Sequence, residues 1–325
     1  MSLNLAFATR NRIELLPRTI GSLLPVLPDE VVITLVIDGE DDTASASFAA
    51  EMESKHGQIF TYKIIPKSGL AAARNTLISM TQSKFIRFQD DDDYLSVEMI
   101  MKIHEFHKNN SKSALLTKTI IVKDHLNPLM QYVTTKGGQL FGYEKISRGQ
   151  VGFDCFWGGR ISLPTDQIGE NRFDEVLKFG SEDIDFGFRF VNSGGRIFYE
   201  DKIYATQIRK LSLEQILFRS YLQGRSQAYI TENRNDRELV NWAKNHIQPV
   251  PNFNLELIEV ELGGFYSEAV RISKLSFEDL EVLFGKSWQS YVDFIWGRSI
   301  DLAKSIGFES YSRKLCQVSD FSRIF

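Results

Sequence analysis

Cysteine is scarce. Cys155 and Cys316 are the two in 325 residues, and they lie far apart. That excludes a disulfide framework and any paired-cysteine metal knuckle, and it points to a reducing compartment. Two small buried apolar residues are the expected reading. Histidine is also sparse: His56, His104, His107, His125 and His246. His104 and His107 are three apart and can share a helix face, but no further ligand stands at zinc-site spacing. Surface positions on an amphipathic helix are expected for both. No apolar run approaches the ~20 residues of a membrane-spanning helix. The stretch Leu3–Ala8 is too short for a signal peptide and runs directly into Arg10, Asn11 and Arg12. A cytoplasmic location is therefore expected, with any membrane contact peripheral and on the inner face. Charge of one sign is missing too. Lys plus Arg is 38 and Asp plus Glu is 42, giving a net charge of −4, which offers no electrostatic footprint for nucleic acid.

What remains is the composition of an ordinary globular protein, 43% hydrophobic and 25% charged. Leu3–Ala8, Val31–Ile37, Phe60–Ile65 and Lys84–Phe88 read as strands, with VVITLVI buried on both faces. Helices are expected at Glu14–Leu24, Thr43–His56 and Leu70–Thr81 between them. This alternation predicts an α/β fold with a mainly parallel central sheet. A less regular half follows. It has a helix at Met99–Lys108 and strands at Leu115–Val122, Met130–Thr134 and Gln139–Tyr143. Beyond it come a helix at Ile184–Val191 and short strand pieces at Arg196–Tyr199 and Ile203–Ala205. From Ser212 the apolar residues recur at helical spacing. Helices are expected there and at Asp236–His246, Leu255–Ser273, Phe277–Leu283 and Trp288–Gly307. A soft boundary falls near residue 210, dividing a catalytic-type domain, 1–210, from a mainly helical C-terminal subdomain, 211–325.

Two acidic clusters stand at strand ends, where open parallel sheets bind ligands. One is Asp38 with Asp42; the other is the run Asp90-Asp91-Asp92-Asp93. Four consecutive carboxylates repel one another and cannot all be buried unpaired. A solvated turn that caps the helix near Ser96 needs one or two of them, not four. A hard divalent cation with oxygen ligands resolves the repulsion, and Mg²⁺ or Mn²⁺ suits carboxylates better than zinc does.

These pieces, with others in order along the chain, resemble the family 2 glycosyltransferases, inverting enzymes of the GT-A fold. The resemblance covers residues 1–205. Thr9-Arg10-Asn11-Arg12 is similar to the loop after the family's first strand. Val36-Ile37-Asp38-Gly39 with Asp42 resembles its nucleoside-binding acidic loop, although Ile37 stands where a second aspartate is usual. Gly69-Leu70-Ala71-Ala72-Ala73-Arg74-Asn75 is similar to its glycine–alanine–arginine–asparagine segment. Asp90–Asp93 resembles its Asp-X-Asp motif. Gly180, Glu182 and Asp183, led in by Gly169, Phe173, Asp174 and Glu175, resemble its segment carrying the catalytic base.

The resemblance implies a nucleotide-sugar donor, with uracil the favoured base, and a glycan, glycolipid or small-molecule acceptor. It implies donor-binding roles for Thr9, Arg12, Asp38, Asp42, Arg74, Asp90, Asp91 and Asp93, and a metal contact by Asp92, with Asp90 and Gln207 as further candidates. Gln207 stands where many relatives have a histidine. Asp183 is the implied base and Glu182 an acceptor-binding partner, with Asp185 as an alternative base. Both acids would also stabilise a helix N-terminus. For Arg74 the plain alternative is a structural salt bridge. Trp157 and Gly158 could wall the acceptor site, and core packing suits Phe156 and Trp157 equally. A homo-oligomer stays open. A metal-dependent nucleotidyltransferase and a non-catalytic sugar-binding protein of the same fold are the competing readings. The first would call for a glycine-rich, lysine-containing phosphate loop, which Thr9–Arg12 is not.

Overall fold

LNLAFAT at the start of the chain is almost wholly inaccessible to solvent, as an apolar strand must be when both its faces are covered. It forms β1 (Leu3–Thr9). The computed structural model describes residues 2–135, 142–177, 180–247 and 255–314. After β1 come β2 (Val31–Asp38), α1 (Thr43–His56), β3 (Phe60–Ile65), α2 (Leu70–Met80), β4 (Phe85–Asp90), β5 (Asp93–Tyr94) and α3 (Val97–Asn109). Then follow β6 (Ser113–Ile121), α4 (Pro128–Thr134), β7 (Gly149–Val151), β8 (Ile161–Pro164), α5 (Glu182–Asn192) and β9 (Arg196–Gln207). Five helices complete the described chain: α6 (Leu213–Asn233), α7 (Arg237–Asn245), α8 (Leu255–Ser273), α9 (Phe277–Phe284) and α10 (Trp288–Ser312).

The chain divides into two compact units. The first comprises residues 1–122, 146–178 and 182–209, and it contains the whole sheet, ordered β3-β2-β1-β4-β8-β6-β9-β5 with β7 on β9. Strands β3, β2, β1 and β4 run parallel. Strand β8 is antiparallel to both β4 and β6, and β5 and β7 are antiparallel to β9. The sheet is therefore mixed rather than mainly parallel. The strand–helix alternation that suggested parallel pairing ends at β4, and β8 has four residues only. Leu5, Phe7, Ile33, Leu35 and Phe60 form its hydrophobic core together with Met99, Ile100 and Ile103 of α3.

The second unit comprises residues 123–145, 179–181 and 210–325. Its helix α6 opens with a capping box between Ser212 and Gln215. Helices α6 and α10 cross so closely that a Cβ at Gly224 would collide with the Lys304 carbonyl, and one at Gly307 with the Tyr221 carbonyl. Buried Trp296 of α10 lies 5.5 Å from the Tyr132 ring of α4.

Several local expectations change. Glu14–Leu24 is not a regular helix: Pro17–Gly21 makes one wide turn, closed by Ser22 N–H to the Pro17 carbonyl at 2.9 Å, and Leu24–Val26 a tight one. Pro17 and Pro25 withhold the donors a continuous helix needs. Met130–Thr134 is helical, not extended. Asn127 caps it by accepting from Met130 N–H at 2.8 Å, and Pro128 occupies the first turn. In the expected strand Gln139–Tyr143, residues 139–141 lie outside the described residues, and Tyr143 begins a single tight turn. The pieces at Arg196–Tyr199 and Ile203–Ala205 are one strand, β9, with a bulge where the pairing passes from Thr117–Glu200 to Lys118–Tyr204. His107 is buried rather than on the surface. It stacks on Phe85 at 4.3 Å and shares a 2.7 Å hydrogen bond with Ser162 Oγ. Burial, with Arg87 nearby, pushes its pKa down to about 3, so the ring is neutral. Cys155 is buried, and burial raises its thiol to about 12; Cys316 lies outside the described residues. Among the described residues no helix is long and apolar enough to cross a membrane.

Candidate active site

Register brings the site together. Thr9 pairs with Ile37, and Ala8 with Asp90, so Thr9, Asp38 and Asp90 reach one edge of the parallel strands. The first unit supplies every residue of the cluster described below.

Asp38 and Asp42 are committed to backbone. The Asp38 carboxylate accepts from Ser68 N–H at 2.7 Å and from Gly69 N–H at 3.0 Å, fixing the loop before α2. Gly69 has φ 98°, a conformation that glycine adopts without a Cβ penalty. The Asp38 carbonyl accepts from Arg10 at 2.6 Å. Asp42 caps α1 through Ser45 N–H at 3.2 Å and takes the Asn11 N–H at 2.6 Å.

The four aspartates diverge. Asp91 accepts from Thr9 Oγ1 at 2.7 Å and from Arg12. Burial pushes its carboxyl up to about 6, with Arg12 opposing. Asp93 accepts from Thr119 Oγ1 at 2.9 Å and lies 3.4 Å from Arg160 Nε. Burial raises it to about 7, with Arg160 opposing. Asp92 Oδ2 sits 3.6 Å from both Arg12 and Arg209. Asp90 is the open member, its side chain 29% exposed, with Arg160 at 3.6 Å and Arg74 at 4.0 Å.

Arg74 joins this cluster to a second one. Its guanidinium is buried over the Phe173 ring, and its Nη1 donates to Glu182 Oε1 at 2.8 Å. Burial and the neighbouring Asp183 push Glu182 up to about 7, with Arg74 opposing. Half-buried Asp183 accepts from Gly158 N–H at 3.0 Å and from Ile184 N–H at 2.9 Å. Burial raises its pKa as well. Asp185, the alternative base, is fully buried and paired with Arg189 at 2.9 Å. The glycine pair is needed for these approaches. A Cβ at Gly158 would collide with the Arg74 guanidinium, and one at Gly159 with the Asp90 carboxylate. Trp157 is half-buried and donates to the Asp154 carbonyl at 2.9 Å, while Phe156 is core. Asn75 clamps Phe173 by two backbone hydrogen bonds, at 2.8 and 3.0 Å.

Among the described residues no three His, Cys, Asp or Glu side chains are grouped to hold a metal ion. The donor set nonetheless suits a hard cation that arrives with a diphosphate, since Mg²⁺ commonly binds one or two carboxylates plus phosphate oxygens and water. Asp92 meets its arginines at 3.6 Å, beyond hydrogen-bond length. Asp93 Oδ1 and Gln207 Oε1 are buried without a hydrogen-bond partner, and these two residues are directly opposed across β5 and β9.

Arg160 and Arg209 were not singled out by sequence reasoning. The signal for Arg160 was its place directly after Gly158-Gly159; Arg209 carried none beyond following β9.

Residues 6–162 match the family model described as Glycosyl transferase family 2. That match spans just under half of the chain. The mixed sheet and the helices that follow it are similar to a GT-A-like fold. Among solved structures the chain is similar to S. aureus TarS 1-349, with TM-score 0.52 and 17% identity over 98% of this chain and 93% of that one. It is also similar to the mannosyltransferase PcManGT from Pyrobaculum calidifontis, solved with GDP-Man and Mn²⁺, with TM-score 0.58 and 10% identity over 97% and 88% of the two chains. A poly(ribitol-phosphate) beta-glucosyltransferase of Bacillus spizizenii is 22% identical over 120 residues, 36% of this chain. The aligned part spans 19% of that relative's length.

Proposed function

We propose that this protein is an inverting glycosyltransferase of the GT2/GT-A superfamily. It moves a sugar from a nucleoside-diphosphate donor, preferably a UDP-sugar, to a hydroxyl of a glycan, glycolipid or small-molecule acceptor. The observation that carries the reading is the reach of one buried guanidinium. Arg74 spans from Asp90, at 4.0 Å, to Glu182, at 2.8 Å, and so ties the strand-end carboxylates to the acidic pair that opens α5. Inverting transfer needs a donor-binding end and an acceptor-side base held in one rigid frame.

In this reading Asp183 is the base. The acceptor oxygen attacks the anomeric carbon, its proton passes to the Asp183 carboxylate, and the bond from that carbon to the diphosphate breaks. A raised pKa suits a group that must accept a proton near neutrality. Glu182 binds acceptor hydroxyls beside it, and Trp157 and Gly158 wall that side. Thr9, Arg12, Asp91 and Asp93 shape the donor pocket, and Asp90 meets the sugar or ribose. Asp38 and Asp42 act by fixing the loops at Ser68 and Asn11, where a nucleoside would lie. Asp92, with Asp90 and Gln207 as further oxygen donors, would hold Mn²⁺ or Mg²⁺. Such a cation neutralises charge developing on the leaving diphosphate. TarS has been solved with UDP, which supports the preference for a UDP-sugar, and the Bacillus relative, a poly(ribitol-phosphate) beta-glucosyltransferase, supports a hydroxyl-rich polymer as one acceptor class.

Calorimetric titration tests the donor half. UDP should bind more tightly with Mn²⁺ than without, and Asp92→Ala should remove that difference. Equal binding under both conditions, or tighter binding of a GDP- or dTDP-sugar, would count against it.

A further inference from the structure

We propose that a buried polar network led by Arg87 holds the donor-side carboxylates in place, making Arg87, Thr119 and Arg160 positioning residues for sugar transfer. This rests on reading Asp90–Asp93 as the donor site.

Strand β4 reads Phe-Ile-Arg-Phe-Gln-Asp. Arg87 and Gln89 are two apart, so they share one face of a strand whose other residues before Asp90 are apolar. Both are buried, Arg87 completely. A fold has no need of a guanidinium there, because an apolar side chain of similar volume would pack without a desolvation penalty.

Arg87 reaches Asp93 by two arms. In the first, Arg87 Nε donates to Gln89 Oε1 at 2.7 Å, and Gln89 Nε2 donates to the Asp93 carbonyl at 2.8 Å. In the second, Arg87 Nη2 donates to Thr117 Oγ1 at 3.0 Å, and Thr117 Oγ1 donates to the Arg160 carbonyl at 3.3 Å. Arg160 Nε donates onward to Thr119 Oγ1 at 2.7 Å, and Thr119 Oγ1 donates to Asp93 Oδ2 at 2.9 Å. Each hydroxyl accepts from one side and donates to the other, so the direction of every bond is set by the arginines. Arg160 also turns a second nitrogen toward Asp90, at 3.6 Å. The network thus fixes the backbone and carboxylate of Asp93 and flanks the exposed carboxylate of Asp90. Linked bonds of this kind in a dry interior hold one geometry, and an ångström of misplacement at a reacting centre costs large factors in rate.

Thr119 gives the cleanest test. Thr119→Val removes the hydroxyl between Arg160 and Asp93 at nearly constant volume, and Thr119→Ser keeps it. We expect Thr119→Val to lower kcat/KM for the UDP-sugar that the wild-type chain turns over by about 10- to 100-fold. Thr119→Ser should stay within about 3-fold of wild type, because the hydroxyl bonds survive. A second pair of variants probes the Arg87 end. Arg87→Met should lose turnover, and Arg87→Met with Gln89→Leu should not regain it, because the Thr117 hydroxyl and the Asp93 carbonyl then lack their donors. Wild-type turnover by Thr119→Val, or equal impairment of the valine and serine variants, would overturn the proposal. An inactive wild-type chain refutes the transferase reading and this one with it; an active wild type with an unimpaired Thr119→Val refutes this one alone.

Discussion

Replacing Arg74 by methionine should destabilise the protein by an amount that depends on pH. Arg74 is buried, and its firmest partner, Glu182, is buried as well. Glu182 Oε2 already has no hydrogen-bond partner. Breaking a buried ion pair by removing one partner costs about 3–5 kcal/mol when the other stays charged. Glu182 need not stay charged. Its pKa is raised from 4.5 to about 7 even with Arg74 present, so below pH 7 the folded wild type holds it mostly protonated. The sign follows. A carboxyl raised on folding contributes stability that is fully present below 4.5 and is lost as pH rises through 7. Without Arg74 the folded pKa climbs further, and the variant loses more than the wild type above pH 7. At pH 5.5 the deficit should be about 1–2 kcal/mol, the cost of a lost buried hydrogen bond. At pH 8.5 it should approach about 3–5 kcal/mol. Urea denaturation at the two pH values measures this. Adding Glu182→Gln to Arg74→Met should remove most of the pH dependence. A deficit equal at both pH values, or larger at pH 5.5, would refute the assignment of Arg74 as the counter-ion of Glu182.

Other outcomes follow from the same geometry. Asp183→Asn should abolish transfer, by at least about 100-fold in kcat, while donor affinity measured by calorimetry stays near wild type. Gly159→Ala should weaken donor binding by about tenfold or more, because its new methyl would occupy the space of the Asp90 carboxylate; the same titration checks it. The rate of the wild-type enzyme should rise with pH on its acid side as Asp183 gives up its proton. That limb should sit above the ordinary aspartate range, since the pKa of Asp183 is raised, and a pH–rate profile whose acid limb lies within or below that range would contradict it.

Much of the first unit was legible in the residues because its signals are strong and local. VVITLVI can only be a buried strand, and Asp42 before an alanine-rich run marks the start of α1. The strand-end rule then put Asp38 and Asp90–Asp93 at one edge of the sheet, and the register of β1, β2 and β4 places Asp38 and Asp90 there. Where the signal was short or ambiguous, reading failed. Met130–Thr134 alternates well enough for a strand, and the deciding evidence was the cap Asn127-Pro128 just ahead of it. Strand β8 has four residues and β5 two, too few for any period to show.

The carboxylates teach a different lesson. An acidic run announces repulsion but not its remedy. Within the protein the remedy is arginine, with Arg12, Arg74, Arg160 and Arg209 each set against a different aspartate or pair. Those pairings join residues up to 117 positions apart (Arg209 and Asp92), so no local pattern contains them. Asp38 and Asp42 also accept from backbone N–H groups, at Ser68, Gly69, Asn11 and Ser45, a role that depends on where loops pass rather than on composition. Arg87 and Gln89 are polar residues in an otherwise apolar strand, and only the positions of Thr117, Thr119 and Arg160 give them a purpose.

The central claim is transfer from a nucleotide-sugar donor with inversion. It is tested most directly by incubating the full chain with a panel of nucleotide sugars, Mn²⁺ and hydroxyl acceptors, and reading free nucleotide and the anomeric configuration of the product by NMR. The account predicts acceptor-dependent release of UDP from a UDP-sugar, with a product whose anomeric configuration is opposite to the donor's. A product that retains the donor's configuration, or no nucleotide release from any donor, would contradict it.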